Sequence, residues 1–413
     1  MRRSYEFCPI VLLITLAFWA EGPPTALWAK PDPVAQSLPF SPQFMGMHTL
    51  SPTRHWPTVP IGTVRPAGTT WGTIEKARGA FDWWGVDTWV AQSQAHGVQL
   101  IYVFLNTPQW ASTRPNEACN RGPIGCAAPP NDADWQQFVT AVVTRYKGRI
   151  ASYELWNEPN AIGFFTGSAA EMAHLAMLAY QIIKAIDPQA IVVSPGTSST
   201  GWPTPYDIWI DQFLQAGGGK YVDVISWHAY AGRSNQPANP PEDVANQITK
   251  IRRVMAKNGL SNLPLWDTEG SWGNDSQLPD PQQQAAFLAR WYLIQFSYGI
   301  ARAYWYQWDN PTVGTLWREG SGTTPAALAF AQVHDWLNGA TSATPCASGS
   351  GSTWICDVSK GNKKYRVVWT TSGSATFSDN VGLTQYSDLS GAKHTVDQLP
   401  VAIGSSPIFF QVQ

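Results

Sequence analysis

Charge is scarce in this chain: Asp, Glu, Lys and Arg make up only 14% of its 413 residues, against about 25% in typical soluble domains. The formal net charge is -2, so no electrostatic footprint marks a nucleic-acid partner or an anionic membrane surface. A bilayer-spanning run is lacking too. The apolar stretch at residues 10–20 falls short of the roughly 20 residues a span requires. Preceded by Arg2 and Arg3, it reads as a secretory signal over residues 1–29, cleaved after Ala20 or Ala29. The expected location is therefore secreted or periplasmic, with no membrane span after cleavage. Histidines are few and scattered, seven in all, with no H-x-H or H-E-x-x-H, and no C-x-x-C occurs. No G-x-S-x-G and no phosphate-binding loop is found. These absences speak against a metal site and call for no cofactor.

Cysteine is also rare, five in total. Cys8 would leave with the signal, and the other four form two local pairs, Cys119 with Cys126 and Cys346 with Cys356. In an exported chain this spacing predicts two disulfides. One zinc site built from all four is the alternative, but the pairs fall in different predicted domains.

Tryptophan, by contrast, is abundant, with 22 residues. Some will fill core, but a flat ring with one N–H donor also suits stacking on the apolar face of a sugar. Strand-like and helix-like patterns alternate along the chain. Strands are expected at 44–48, 62–65, 98–105, 150–156, 190–194, 222–227, 265–268 and 303–308, and helices at 87–96, 132–146, 168–186, 206–216, 242–257, 281–298 and 325–338. Ser168 and Glu171 have capping-box spacing. The pattern predicts an α/β fold, a (β/α)8 TIM barrel over residues 30–340. Beyond residue 340 Gly, Ser and Thr dominate and short strands recur, at 353–358, 365–370, 375–378 and 407–412. They predict a small C-terminal β-sandwich over 341–413, too small to stand alone and so docked on the barrel.

The stretch Tyr153-Glu-Leu-Trp-Asn157-Glu158-Pro159 runs from an apolar strand directly into an acid, and Pro159 cannot continue a ladder. Glu158 then sits at a C-terminal strand edge, the face where parallel barrels build catalysis. A second acid, Glu269, ends strand seven in Trp266-Asp-Thr-Glu269-Gly270. Strand two ends in Arg65, strand six in His228-Ala-Tyr230, and strand eight carries Trp305 and Trp308. Two carboxyl groups across an aromatic mouth are what glycosidic cleavage needs, one to protonate the leaving oxygen and one to attack or to activate water.

With Asn157-Glu158-Pro159 on strand four, Glu269 on strand seven and His228-x-Tyr230 on strand six, the chain resembles the clan A glycoside hydrolases. The segments at 71–83 and 107–112 and the C-terminal β-domain make family 39, which includes β-xylosidases, the most similar branch. The resemblance implies Glu158 as acid/base, Glu269 as nucleophile and Asn157 as donor to a sugar 2-hydroxyl. It implies that Tyr230 and Arg65 hold Glu269 ionised, that His228 lies near the same subsite, and that Trp308, or Trp305, floors it. Pro66-Ala67-Gly68 departs from the aromatic and acid that relatives often carry after the strand-two Arg. Among the other polar groups, Glu154 reads as a partner for a barrel-interior Arg and Glu75 as a loop support. His48 and Asp267 are candidate substrate contacts or structural rim residues. The expectation is a secreted retaining enzyme that cleaves β-glycosidic bonds in oligo- or polysaccharides, its carboxyls about 5–5.5 Å apart, with the pKa of Glu158 raised by nearby negative charge. Two other readings use the same cleft. A non-catalytic carbohydrate-binding relative would have lost one Glu, and a transglycosylase would differ in its products with and without an acceptor sugar.

Overall fold

The computed structural model describes residues 37–231, 238–349, 351–379 and 382–412. The expected signal segment and Cys8 lie outside the described residues. Eight parallel strands form the centre: β1 Met45–Thr49, β2 Thr63–Pro66, β3 Gln99–Val103, β4 Ser152–Glu154, β5 Ile191–Val193, β6 Ile225–His228, β7 Leu265–Gly270 and β8 Arg302–Trp305. Each pairs with its sequence neighbours, and β8 pairs with β1. Closure happens within β5. Its first part pairs with β4, while its continuation Thr197–Ser198 pairs with β6. Because both ends of the sheet belong to one short stretch of chain, the sheet curls into a barrel. Helices α1 Trp84–Ala95, α2 Asp132–Tyr146, α3 Ala169–Ile186, α4 Tyr206–Gln215, α5 Asp243–Lys257, α6 Pro281–Ser297 and α7 Pro325–Leu337 follow β2 to β8. No helix follows β1 among the described residues, and no helix there is long and apolar enough to cross a membrane.

Local chemistry explains where these elements start and stop. Both bonds of the Ser168/Glu171 capping box are made at the head of α3. Asp280 caps α6, with Pro281 at its first position. Strands four and eight are shorter than the 150–156 and 303–308 expected, although single backbone bonds continue past both, from Leu155 N to Val193 O at 3.1 Å and from Tyr306 N to Gly270 O at 2.9 Å. In the lower lumen, Ile101, Val193, Val224, Trp266 and Tyr304 form a buried cluster.

After α7, the strands β9 Thr341–Ser348, β10 Thr353–Lys360, β11 Lys363–Thr370, β12 Ala375–Phe377, β13 Leu383–Ser387, β14 Lys393–Thr395, β15 Val401–Ile403 and β16 Ile408–Val412 follow. Six make an antiparallel sheet ordered β9-β10-β11-β16-β13-β14, and β12 pairs with β15 as a separate ribbon. Val368, Phe377, Ile403 and Phe410 are among the apolar residues buried between sheet and ribbon. The other face of the sheet packs on the barrel. There Trp336 stacks on Phe409 with ring centres 5.3 Å apart, and Trp369 Nε1 donates to Glu242 Oε1 at 2.7 Å. Arg290 of α6 bonds the same oxygen at 3.0 Å. Both disulfides, Cys119–Cys126 and Cys346–Cys356, are formed.

Candidate active site

Arg65, at the end of β2, organises the upper lumen. Its guanidinium is buried and donates in three directions: Nε to Glu154 Oε2 at 2.7 Å, Nη1 to Glu269 Oε2 at 2.8 Å and Nη2 to Asn157 Oδ1 at 2.8 Å. The planar fork is suited to this, because its donors diverge in fixed directions. Glu154 is fully buried and also accepts from Thr268 Oγ1 at 2.6 Å. Burial works against Arg65's charge, but Glu154 and Glu269 overcome it and raise its pKa. Burial likewise works against the Glu154 carboxylate, yet Arg65 draws it below its ordinary value.

Glu269 is gripped at both oxygens, with Tyr230 Oη donating to Oε1 at 2.7 Å while Arg65 holds Oε2. Glu158 lies just past β4 with a left-handed backbone, φ 45°, a strained conformation of the kind that clusters at functional sites. The bond from its N–H to Gly196 O, 2.7 Å, holds it there. His228 Nδ1 donates to Glu158 Oε1 at 3.0 Å and lies 4.0 Å from Glu269 Oε2, with Nε2 3.9 Å from Glu154. Gly196 is obligatory beside this ring, since a Cβ there would lie 2.5 Å from both Glu154 Oε1 and His228 Nε2. Burial opposes a charged imidazole, but the nearby carboxylates of Glu269, Glu154 and Glu158 raise His228 to about 10. Burial would also raise Glu158, yet the His228 hydrogen bond and charge outweigh it and leave that carboxyl below its ordinary value. The sequence reading had nearby negative charge raising Glu158; the imidazolium between the acids reverses the sign.

Glu158 and Glu269 open into a cleft of about 940 Å³, walled by Phe164, Trp202, Tyr230 and Tyr306, with Arg121 and Asn274 at its sides. Trp202 is 64% exposed. Tyr306, Trp202, Arg121 and Asn274 were not singled out from sequence. A Trp before Pro203 in the loop after β5 was the one available signal.

Three sequence-derived contacts lie elsewhere. Trp305 and Trp308 are fully buried, so neither floors a subsite. Alternation along β8 puts Tyr304 in the lumen and turns Trp305 outward, where it packs on Trp291 of α6 at 5.3 Å. Trp308 Nε1 donates to His55 O at 2.6 Å. The cleft wall at this strand end is Tyr306 instead. His48 is buried, its Nε2 bonded to Thr268 O at 2.8 Å, and it is absent from the cleft lining. Glu75 does brace a loop, accepting from Trp71 Nε1 at 2.8 Å and Gly79 N at 2.7 Å.

Among the described residues, Glu158, His228 and Glu269 are close enough together to suggest a cation site. In this structure those atoms serve one another instead, His228 Nδ1 donating to Glu158 Oε1 at 3.0 Å.

The model for glycosyl hydrolases family 39 matches residues 125–307, the span that carries Glu158, His228 and Tyr230 and Glu269. The chain is related to family 39. A β-xylosidase of Geobacillus stearothermophilus is 26% identical over 205 residues, 44% of this chain. That match spans 40% of the relative's length. Among solved structures, a family 39 glycoside hydrolase from the gut symbiont Bacteroides cellulosilyticus WH2 superposes with TM-score 0.71 at 20% identity, covering 90% of this chain and 81% of that one. A monomeric β-xylosidase from Caulobacter crescentus CB15 does so with TM-score 0.64 at 15% identity, covering 92% and 98%. The fold of this family 39 relative, barrel and β-layer together, is thus shared by these structures.

Proposed function

We propose that this chain is a retaining glycosidase that cleaves β-glycosidic bonds in oligo- or polysaccharides, with Glu269 as nucleophile and Glu158 as acid/base. The observation that carries the reading is the approach of the two carboxyl groups. One oxygen of Glu158 and one of Glu269 lie within 4.8 Å of each other, an approach that supports direct attack rather than the carboxyl separations of about 6.5–9.5 Å by which inverting sites admit a water. In the first step Glu269 attacks the anomeric carbon as the glycosidic C–O bond breaks, and the departing oxygen takes the proton of Glu158. In the second, Glu158 removes a proton from water, whose oxygen attacks the same carbon and releases Glu269.

The surroundings fit these roles. Arg65 and Tyr230 bond one oxygen each of Glu269 and hold it aimed. Asn157 accepts from Arg65 through Oδ1, leaving its amide N–H groups for a sugar hydroxyl. Tyr306 and Trp202 offer ring faces for neighbouring sugars. Relatives named as β-xylosidases make β-xylosides the first substrates to try. The two disulfides suit an oxidising compartment, and we place the protein outside the cytoplasm, secreted or periplasmic. We also treat residues 30–340 as catalytic and 341–413 as a supporting β-domain.

The test has two parts. A screen of aryl β-xyloside, β-glucoside and β-galactoside alongside xylan finds the substrate, and proton NMR then follows the first-formed anomer. Retention of configuration is expected, with a matching 2-deoxy-2-fluoro glycoside labelling Glu269. An inverted product, or a label on Glu154 or Asp267, would overturn the mechanism.

A further inference from the structure

The two acids explain the chemistry but not how β7 delivers Glu269 to Arg65 and Tyr230. Against β6, Asp267 pairs with Trp227 but Glu269 with His228; against β8, Asp267 pairs with Ala303 but Gly270 with Trp305. The strand therefore carries a bulge, with Thr268 as its extra residue. A bulge interrupts the ladder and leaves a backbone N–H in need of an acceptor, and burial makes an unmet donor costly.

Asp267 meets that need. Its Oδ1 accepts from Glu269 N at 3.3 Å and from Ala229 N at 3.0 Å. Ala229 separates His228 from Tyr230, so one carboxyl oxygen ties together the backbones that carry three site residues. Asp267 is itself fully buried and lies outside the lumen, with Tyr292 and Gln295 of α6 among its neighbours. The sequence reading left it as a substrate contact or a rim residue; it is absent from the cleft lining. Its Oδ2 has no hydrogen-bond partner among the described residues. Burial pushes its carboxyl well above the usual range, and accepting two N–H bonds requires no charge.

We propose that Asp267 is a positioning residue that fixes the bulge of β7 and fastens it to β6, so that Glu269 faces the anomeric carbon. This rests on the reading of Glu269 as nucleophile.

Three variants separate the possibilities. Asp267→Asn keeps the acceptor and the shape, Asp267→Leu keeps the shape alone, and Asp267→Ser leaves a hydroxyl too short to span both donors. For each, kcat and KM are measured on the best aryl glycoside, together with the rate at which its 2-deoxy-2-fluoro counterpart labels Glu269, all per folded molecule at a temperature below unfolding. Asp267→Asn should stay within about threefold of the parent, whereas Asp267→Leu should lose about 100-fold in labelling rate and kcat with KM nearly unchanged, the loss expected of a misaimed nucleophile. Asp267→Ser, which decides the matter if Asp267→Leu does not fold, should lose at least about tenfold. A folded Leu or Ser variant that labels Glu269 at the parental rate overturns the proposal, as does an Asn variant as damaged as Leu. If the parent is labelled on a different carboxylate, the nucleophile reading itself fails, an outcome distinct from the others.

Discussion

His228 sets the protonation of the site. The surrounding carboxylates raise His228 to about 10 while its bond, 3.0 Å long, lowers Glu158, so under the proposed mechanism the proton that Glu158 donates is held together with the imidazole. The two groups share one proton and titrate as a pair. The alkaline limb of kcat/KM should therefore lie near 10, where that proton is finally lost. His228→Asn leaves the proton on Glu158 alone, so the limb should move to lower pH by roughly one unit or more. Rate profiles from acid to alkaline pH test this, and an unmoved limb would remove His228 from the proton's path. The same shift has a stability sign. A histidine raised from 6.5 to about 10 on folding stabilises fully below 6.5, and that contribution is lost as pH rises toward 10. Across this window the parent's Tm should fall more steeply than that of His228→Asn. From sequence, Glu158, Glu269, Arg65 and Tyr230 were legible because strand ends, Pro and Gly announce where a parallel strand stops. The pKa direction of Glu158 was not, since it depends on the orientation of one ring between two strands.

Among the elements, the barrel strands were readable from apolar runs and the long helices from their periodicity and caps. Three features escaped. The division of β5 into two paired pieces, the bulge in β7 and the turn of Tyr306 into the cleft each hinge on a shift of a residue or two, which hydrophobic pattern does not encode. The loop stapled by Cys119–Cys126 was legible as a bond but not as a wall of the site. It carries Arg121 into the cleft, with the guanidinium over Phe164 at 5.1 Å from the ring centre and the stem against Gly163. Replacing both cysteines by Ser should free this wall, raising KM severalfold while kcat changes less, and should cost about 2 kcal/mol of stability. Steady-state kinetics and a thermal melt decide; unchanged KM and Tm together would show that the staple is dispensable.

For the whole molecule, a buried polar knot is among the contacts that join the C-terminal sheet to the barrel. Glu242 Oε1 accepts from both Arg290 and Trp369, so Glu242→Ala leaves a buried cation and an indole N–H without their partner. The expected loss is about 3–5 kcal/mol, as for removal of one member of a buried pair, read from denaturant midpoints. A loss below about 1 kcal/mol, the range of exposed pairs, would mean the knot is solvated in solution. A change from apolar periodicity to Gly and Ser near residue 340 is visible in the sequence, but not which side chains pack across it. The lumen's charged ring has a further consequence, for the order in which the chain is made. Arg65 and Glu154 leave the ribosome early and can meet as soon as β2 and β4 come together, whereas Glu269 arrives much later and β8 later still. A nascent chain can thus hold the acid and its charged neighbours long before it owns a nucleophile. Under the proposed mechanism, hydrolysis becomes possible only once β7 and β8 have taken their places in the ring.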